Sequence, residues 1–120
     1  MAAPETVQIL AAGPTMNRLV ATLICHATGG LPDDSYPPFS SDVRLAFQAV
    51  DAFVATQKNV KLTIEYPKPE VWVKRFDREF GSGWVPAAFV SADTLPAALC
   101  IAVLKAAGFV DSEGRYVDLP

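Results

Sequence analysis

The chain has 120 residues, with 10 Lys and Arg against 13 Asp and Glu, and a formal net charge of −3. A hydrophobic content of 51% with 19% charged residues excludes an intrinsically disordered chain. The length fits one domain, so we assign residues 1–120 to a single domain with its core in residues 8–109 and a tail in residues 110–120. An isoelectric point near 5.0 argues against binding of duplex nucleic acid.

The sequence predicts neither an export signal nor a membrane span. The first ten residues lack Lys and Arg, and prolines and charges interrupt the most apolar stretch, residues 85–110. Cys25 and Cys100 fall in apolar helical patterns, which is typical of buried thiols in cytosolic proteins, although a disulfide between them stays open. We therefore expect a cytoplasmic protein that has no membrane partner.

Residues 15–27 are predicted to form the first helix. Apolar residues recur there at helical spacing and place His26, the only histidine, on the same face. Gly29 and Gly30 follow directly, and glycine is common just past a helix end. We therefore expect this glycine pair to end the helix.

A second helix is predicted to begin after a proline-rich loop and to end near Gln57. Ser40 or Ser41 can cap its first turn, because a hydroxyl oxygen accepts hydrogen bonds from free backbone N–H groups. The predicted core-facing stripe consists of Val43, Phe47, Val50 and Val54, widened by Ala46 and Phe53.

Three strands are predicted next, in residues 60–66, 71–76 and 84–90. In the first of them, alternation places Val60, Leu62, Ile64 and Tyr66 on one face. The connections are short, which favours antiparallel neighbours. Pro86 predicts an edge position or a bulge for the third strand, because proline cannot donate a backbone hydrogen bond.

A last helix is predicted after these strands. Asp93 or Thr94 can cap it, and Gly108 is expected to end it in the left-handed conformation. A lone three-stranded sheet leaves an apolar face in water, so the three helices must pack on it. The element order therefore predicts a mixed α+β fold on a short antiparallel sheet.

The segments PPFSSDVRLAFQAV (37–50) and ADTLPAALCIAVLKA (92–106), in this order, resemble the phage ABA sandwich domain family. The upstream segment AAGPTMNRLVATLIC is similar to the opening helix of that family. Ser41 stands where a Thr is expected, and Asn17 where an Asp is common. The resemblance implies an α–β–α sandwich from a bacteriophage or prophage, acting in the host cytoplasm, and it implies no enzymatic activity.

The residue pairs that could support catalysis have simpler interpretations. Cys25 and His26 are adjacent on a helix and point about 100° apart, which is a poor nucleophile–base arrangement. Asp42 and Asp93 each stand at a helix start, where a carboxylate more often caps the helix than it catalyses. One histidine and two separated cysteines fall short of a zinc site. We expect no catalytic residue, metal or cofactor.

The charge distribution indicates one candidate binding region. Residues 58–78 carry six basic and three acidic residues together with several aromatic ones. Stacking faces and phosphate-binding cations are what a nucleotide requires, although a solvated strand face opposite a buried aromatic face would give the same pattern. The expected ligand contacts are Trp72, Lys74, Arg75, Arg78 and Trp84, with the helix starts at Ser40, Ser41 and Thr94 as a second candidate site.

Two hypotheses of function from different classes remain, and the phage origin in the first is what the resemblance implies. The first is a non-enzymatic phage protein that sequesters a small anionic nucleotide-type immune signal, as a homo-oligomer with the ligand enclosed between subunits. The second is a structural or protein-interaction module without a small-molecule ligand. A mean hydropathy of +0.24 predicts self-association in either case, because one small core does not readily hide so much apolar surface.

Overall fold

The computed structural model describes residues 12–57, 59–77, 83–111 and 115–117. The first helix, α1, is Pro14–Leu19 and continues as a π-helical turn, Val20–Ile24, which a short 3₁₀ turn, Asp33–Ser35, follows. The remaining elements are α2 (Val43–Thr56), β1 (Val60–Glu65), β2 (Glu70–Asp77), β3 (Gly83–Ser91) and α3 (Leu95–Ala106). Two helices, three strands and one helix were predicted in this order.

Helix α1 ends earlier than predicted. Its last turn is π-helical, and the backbone N–H of Cys25 donates to the carbonyl of Val20 at 3.1 Å. His26 follows with a φ of 58°, in the left-handed region that interrupts a right-handed helix. The prediction that Gly29 and Gly30 end this helix is therefore wrong, and His26 lies exposed beyond the helix instead of on its apolar face.

Asp42 caps α2, which confirms the interpretation of this carboxylate as a helix cap, whereas the prediction that Ser40 or Ser41 caps the helix is wrong. The Asp42 carboxylate accepts hydrogen bonds from the backbone N–H groups of Arg44 at 2.9 Å and Leu45 at 3.3 Å. A carboxylate at this position satisfies the free donors of the first turn and also interacts favourably with the helix dipole.

The buried face of α2 is rotated from the predicted stripe. Its buried residues are Ala46, Ala49, Val50 and Phe53. Three members of the predicted stripe are only partly covered: Val43, Phe47 and Val54 are 43%, 40% and 37% exposed. The two alanines explain the rotation, because small side chains allow α2 to pack closely on α3.

The strands form an antiparallel sheet in the order β1–β2–β3. Pro86 lies on the edge strand β3, and the pairing with β2 shifts by one residue beside it, so both predicted consequences of this proline are present. Strand β1 ends at Glu65, and Tyr66 lies 66% exposed in the following turn instead of on the apolar face.

Helix α3 forms the centre of the core. Its residues 97–104 are all buried, so it has no polar face. One side of α3 packs on β2 and β3, and another packs on α2 and the π-helical turn. The structure confirms the predicted α+β fold of three helices and a three-stranded antiparallel sheet, and it is consistent with a sandwich of packed layers.

Both ends of α3 follow the sequence prediction. The Thr94 hydroxyl accepts from the backbone N–H of Ala97 at 3.4 Å, so Thr94 is the cap. Gly108 has a φ of 94°, and the N–H of Phe109 donates to the carbonyl of Leu104 at 2.9 Å. This bond closes the left-handed end that glycine permits.

The two cysteines are free thiols, which settles the question of a disulfide. Cys100 is fully buried in α3, whereas Cys25 is partly exposed at the end of α1. None of the described helices is long and apolar enough to cross a membrane.

Candidate functional site

The side chains of strand β2 alternate between a buried and an accessible side of the sheet. Val71 and Val73 are fully buried on the side of α3. Because side chains alternate along a strand, Trp72, Lys74 and Phe76 lie on the opposite side. Cross-strand pairing brings residues of β1 and β3 to that opposite side. We call it the outer face, and it contains Lys61, Thr63, Glu65, Glu70, Trp72, Lys74, Phe76, Trp84 and Phe89.

Two aromatic pairs lie on the outer face. The Trp72 and Phe89 rings are tilted with centroids 4.4 Å apart, and the Phe76 and Trp84 rings meet edge to face at 5.5 Å. Such pairs stabilise a sheet across its strands. Phe76, Trp84 and Phe89 nevertheless stay 41%, 38% and 37% exposed, so part of each ring is available to a ligand or partner.

Two lysines lie between these aromatic pairs. Lys61 and Lys74 are direct partners across β1 and β2, and like charges at such positions destabilise a sheet. The Lys61 Nζ lies 4.4 Å from the centroid of the Trp84 ring, which provides a cation–π interaction. An anion placed between the two ammonium groups would offset their repulsion.

The opposite end of the same hairpin is acidic. Glu65 and Glu70 are direct cross-strand partners and lie next to the β1–β2 turn, four residues along the strands from the lysine pair. The outer face therefore has a positive end beside Trp84 and a negative end beside the turn. A small anion would occupy the positive end only.

The structure brings Trp72, Lys74 and Trp84 together on the outer face, but it does not bring Arg75 to them. Arg75 shares the side of Val73, and its guanidinium donates to the Gln57 Oε1 at 3.3 Å, at the end of α2. Arg78 lies outside the described residues.

The second candidate site has two of its three hydroxyl groups, those of Ser40 and Thr94, engaged in hydrogen bonds within the fold. The backbone N–H and hydroxyl of Ser40 donate to the Asn17 Oδ1 at 2.9 and 2.7 Å, and Ser40 is fully buried. Thr94 caps α3, while Ser41 lies exposed in the turn before α2. A ligand would therefore find no accessible hydroxyl at Ser40.

A cavity of about 280 Å³ lies where the three helices end. Helix C-termini carry partial negative charge, so this position disfavours an anionic ligand. The cavity could not be predicted from the sequence, because the early end of α1 at His26 depends on a backbone conformation that no residue pattern indicates. The cavity is lined by Leu23, Ile24, His26, Phe53, Thr56, Gln57, Ala107 and Phe109.

Lys61 and Phe89 also lie on the outer face, although neither is among the ligand contacts expected from the sequence. Alternation along β1 and β3 was visible, but the pairing register that opposes Lys61 to Lys74 was not. Within the described ranges, no three His, Cys, Asp or Glu side chains come together as metal ligands. Comparison with protein-family models, curated proteins and solved structures finds no match for this chain.

Proposed function

We propose that this protein is a non-enzymatic binding protein that takes up a small anionic, nucleotide-type ligand on the outer face. The observation that supports this proposal is the direct opposition of Lys61 and Lys74 between two partly exposed aromatic pairs. It combines two phosphate-binding cations with surfaces on which a base can stack.

The proposed binding mode uses the contact between Lys61 and Trp84. In the free protein the Lys61 ammonium covers the Trp84 ring at 4.4 Å. A phosphate between Lys61 and Lys74 draws that ammonium away from the ring, and the uncovered ring then stacks on the base. Stacking contributes about 1–3 kcal/mol per base, which is comparable with the cation–π contact that it replaces.

The acidic end of the outer face limits the ligand. Glu65 and Glu70 repel further phosphates that extend from the lysine pair toward the β1–β2 turn. This arrangement favours a compact ligand with one or two phosphates over a nucleic-acid strand, which needs a continuous positive groove.

Sequestration is the physiological role that this binding mode would serve. A protein that binds without turnover lowers the free concentration of its ligand in proportion to the number of sites. In a phage protein in the host cytoplasm, such a ligand would be a nucleotide immune signal. This part of the proposal depends on the resemblance to the phage ABA sandwich domain family.

Calorimetric titration tests the proposal, with cyclic dinucleotides, cyclic trinucleotides and ADP-ribose-type compounds as probes. Lys74→Ala should weaken the binding of the active probe by about 10- to 100-fold, the loss of one charge-assisted hydrogen bond. Lys68→Ala is the matched control, because Lys68 is an exposed lysine in the β1–β2 turn outside the lysine pair. It should leave the affinity unchanged.

Absence of heat with every probe would refute nucleotide binding. The exposed rings of Phe76, Trp84 and Phe89 favour a second candidate function in that case, namely a protein-interaction module that docks through the outer face. An equal loss of affinity in Lys74→Ala and Lys68→Ala would also refute the proposed site, because it would indicate only a general charge effect.

A further inference from the structure

Helix α2 carries an apolar stripe that the core does not cover. Val43, Phe47 and Val54 are 43%, 40% and 37% exposed, and they flank the buried Val50. Together with Val50 they have spacings of four, three and four residues, which are those of the contact seam of a coiled coil. The helix therefore has two adjacent apolar surfaces. One packs on α3, and the other consists of the partly exposed Val43, Phe47 and Val54, which we call the α2 stripe.

Two opposite charges border the α2 stripe on the side away from the core. Arg44 follows Val43, Asp51 follows Val50, and both charged side chains are exposed. They are seven residues apart and thus occupy equivalent positions along the stripe. At such positions, charges determine the orientation in which two helices pair.

We propose that the α2 stripe binds a second copy of this chain, with the two α2 helices antiparallel about a two-fold axis. Positions 43, 47, 50 and 54 have the same spacing in both directions, so Val43 of one copy meets Val54 of the other. The two exposed Phe47 rings then meet at the two-fold axis, beside the buried Val50 residues. This arrangement brings Arg44 near Asp51 of the second copy, and the two-fold axis repeats the contact.

The expected dimer is weak and does not disturb the core. Helix α2 has 14 residues and is about 21 Å long, which is short for an interface between stable partners. We expect a dissociation constant roughly in the micromolar range. The residues that pack on α3 lie on the neighbouring face of α2, so pairing requires no rearrangement.

Sedimentation velocity over protein concentrations from about 5 to about 300 µM tests the proposal, because this range brackets the expected dissociation constant. The wild-type protein should change from monomer to dimer. Phe47→Glu, which places a charge in the centre of the stripe, should remain monomeric throughout. Gln48→Glu is the matched control, since Gln48 is exposed on α2 outside the stripe, and it should dimerise as the wild type does.

A charge exchange tests the orientation and does not alter the apolar contacts. Arg44→Asp or Asp51→Arg alone should weaken the dimer about tenfold, because each places like charges opposite each other. The double variant should recover the wild-type dissociation constant to within about threefold. Circular dichroism checks that each variant is folded. A monomeric wild type, a dimer unaffected by Phe47→Glu, or failure of the double variant to recover would overturn the proposal.

Discussion

The buried contact between Asn17 and Ser40 gives a direct test of the position assigned to Ser40. The Asn17 Oδ1 accepts both the backbone N–H and the hydroxyl of Ser40, and the Ser40 Oγ accepts the N–H of Gly13 at 2.9 Å. Asn17→Ala removes both bonds to the Oδ1, whereas Ser40→Ala leaves the backbone bond between the two residues in place. The two substitutions should therefore differ in their effect on stability.

The hydrogen bonds that each substitution removes determine the expected loss in the free energy of unfolding. A buried N–H without a partner costs about 1–3 kcal/mol, and the lost hydroxyl bond adds about 1 kcal/mol. Alanine forms helix better than asparagine by about 0.5 kcal/mol, so Asn17→Ala should lower the free energy of unfolding by about 1.5–3.5 kcal/mol. Ser40→Ala should lower it by about 1–2 kcal/mol, because the Gly13 N–H is only partly buried.

Urea unfolding followed by tryptophan fluorescence measures both values, since Trp72 and Trp84 lie in the sheet. The urea dependence of the free energy should stay constant, so the difference appears in the transition midpoint. Ser41→Ala, at the exposed neighbouring position, is the control and should change stability by less than about 0.5 kcal/mol. A larger loss in Ser40→Ala than in Asn17→Ala would refute this reasoning.

Two further predictions concern the core and the outer face. Burial, with a smaller effect of Cys25, raises the pKa of Cys100 from 9.0 to about 12. Cys100 should resist iodoacetamide in the native protein, and the free energy of unfolding should fall as the pH rises from 9 toward 12, because only the unfolded thiol ionises there. A rise in that range, measured by urea unfolding, would contradict the assignment. Gly83→Ala should destabilise more than Gly108→Ala, although their φ angles are 97° and 94°. A methyl group at position 83 would overlap the Phe76 ring. At position 108, none of the described atoms lies within 4 Å of such a methyl group. Gly108→Ala should therefore cost only about 1 kcal/mol in the same assay.

Helix α2 shows how much of the fold the sequence could predict. Its boundaries and its amphipathic character follow from apolar spacing, which depends only on the helical period. Which apolar stripe is buried depends on the partner helix, and here the surface of Ala46 and Ala49 fits α3 more closely than that of Phe47 does. Periodicity thus located the helix but could not choose between two overlapping apolar faces.

The outer face shows the corresponding limit for the site. The local excess of basic and aromatic residues indicates the strands that form the outer face, and alternation alone separates Lys74 from Arg75. The opposition of Lys61 to Lys74, and of Glu65 to Glu70, follows from the antiparallel register, which a hairpin turn sets. Arg75 and Gln57 are 18 residues apart in the sequence, so no local pattern indicates the hydrogen bond between them.

The outer face and the α2 stripe share no residue, and α3 lies between α2 and the sheet. A dimer through the α2 stripe would therefore leave both outer faces outside its interface, so a ligand on either face would not be enclosed between the two subunits of that dimer. Binding and dimerisation should then be energetically independent, because each engages groups that the other does not contact. Lys74→Ala should lower the ligand affinity without changing sedimentation, and Phe47→Glu should abolish the dimer without changing the affinity per site. Loss of ligand binding in Phe47→Glu would instead indicate that the ligand requires residues from both copies.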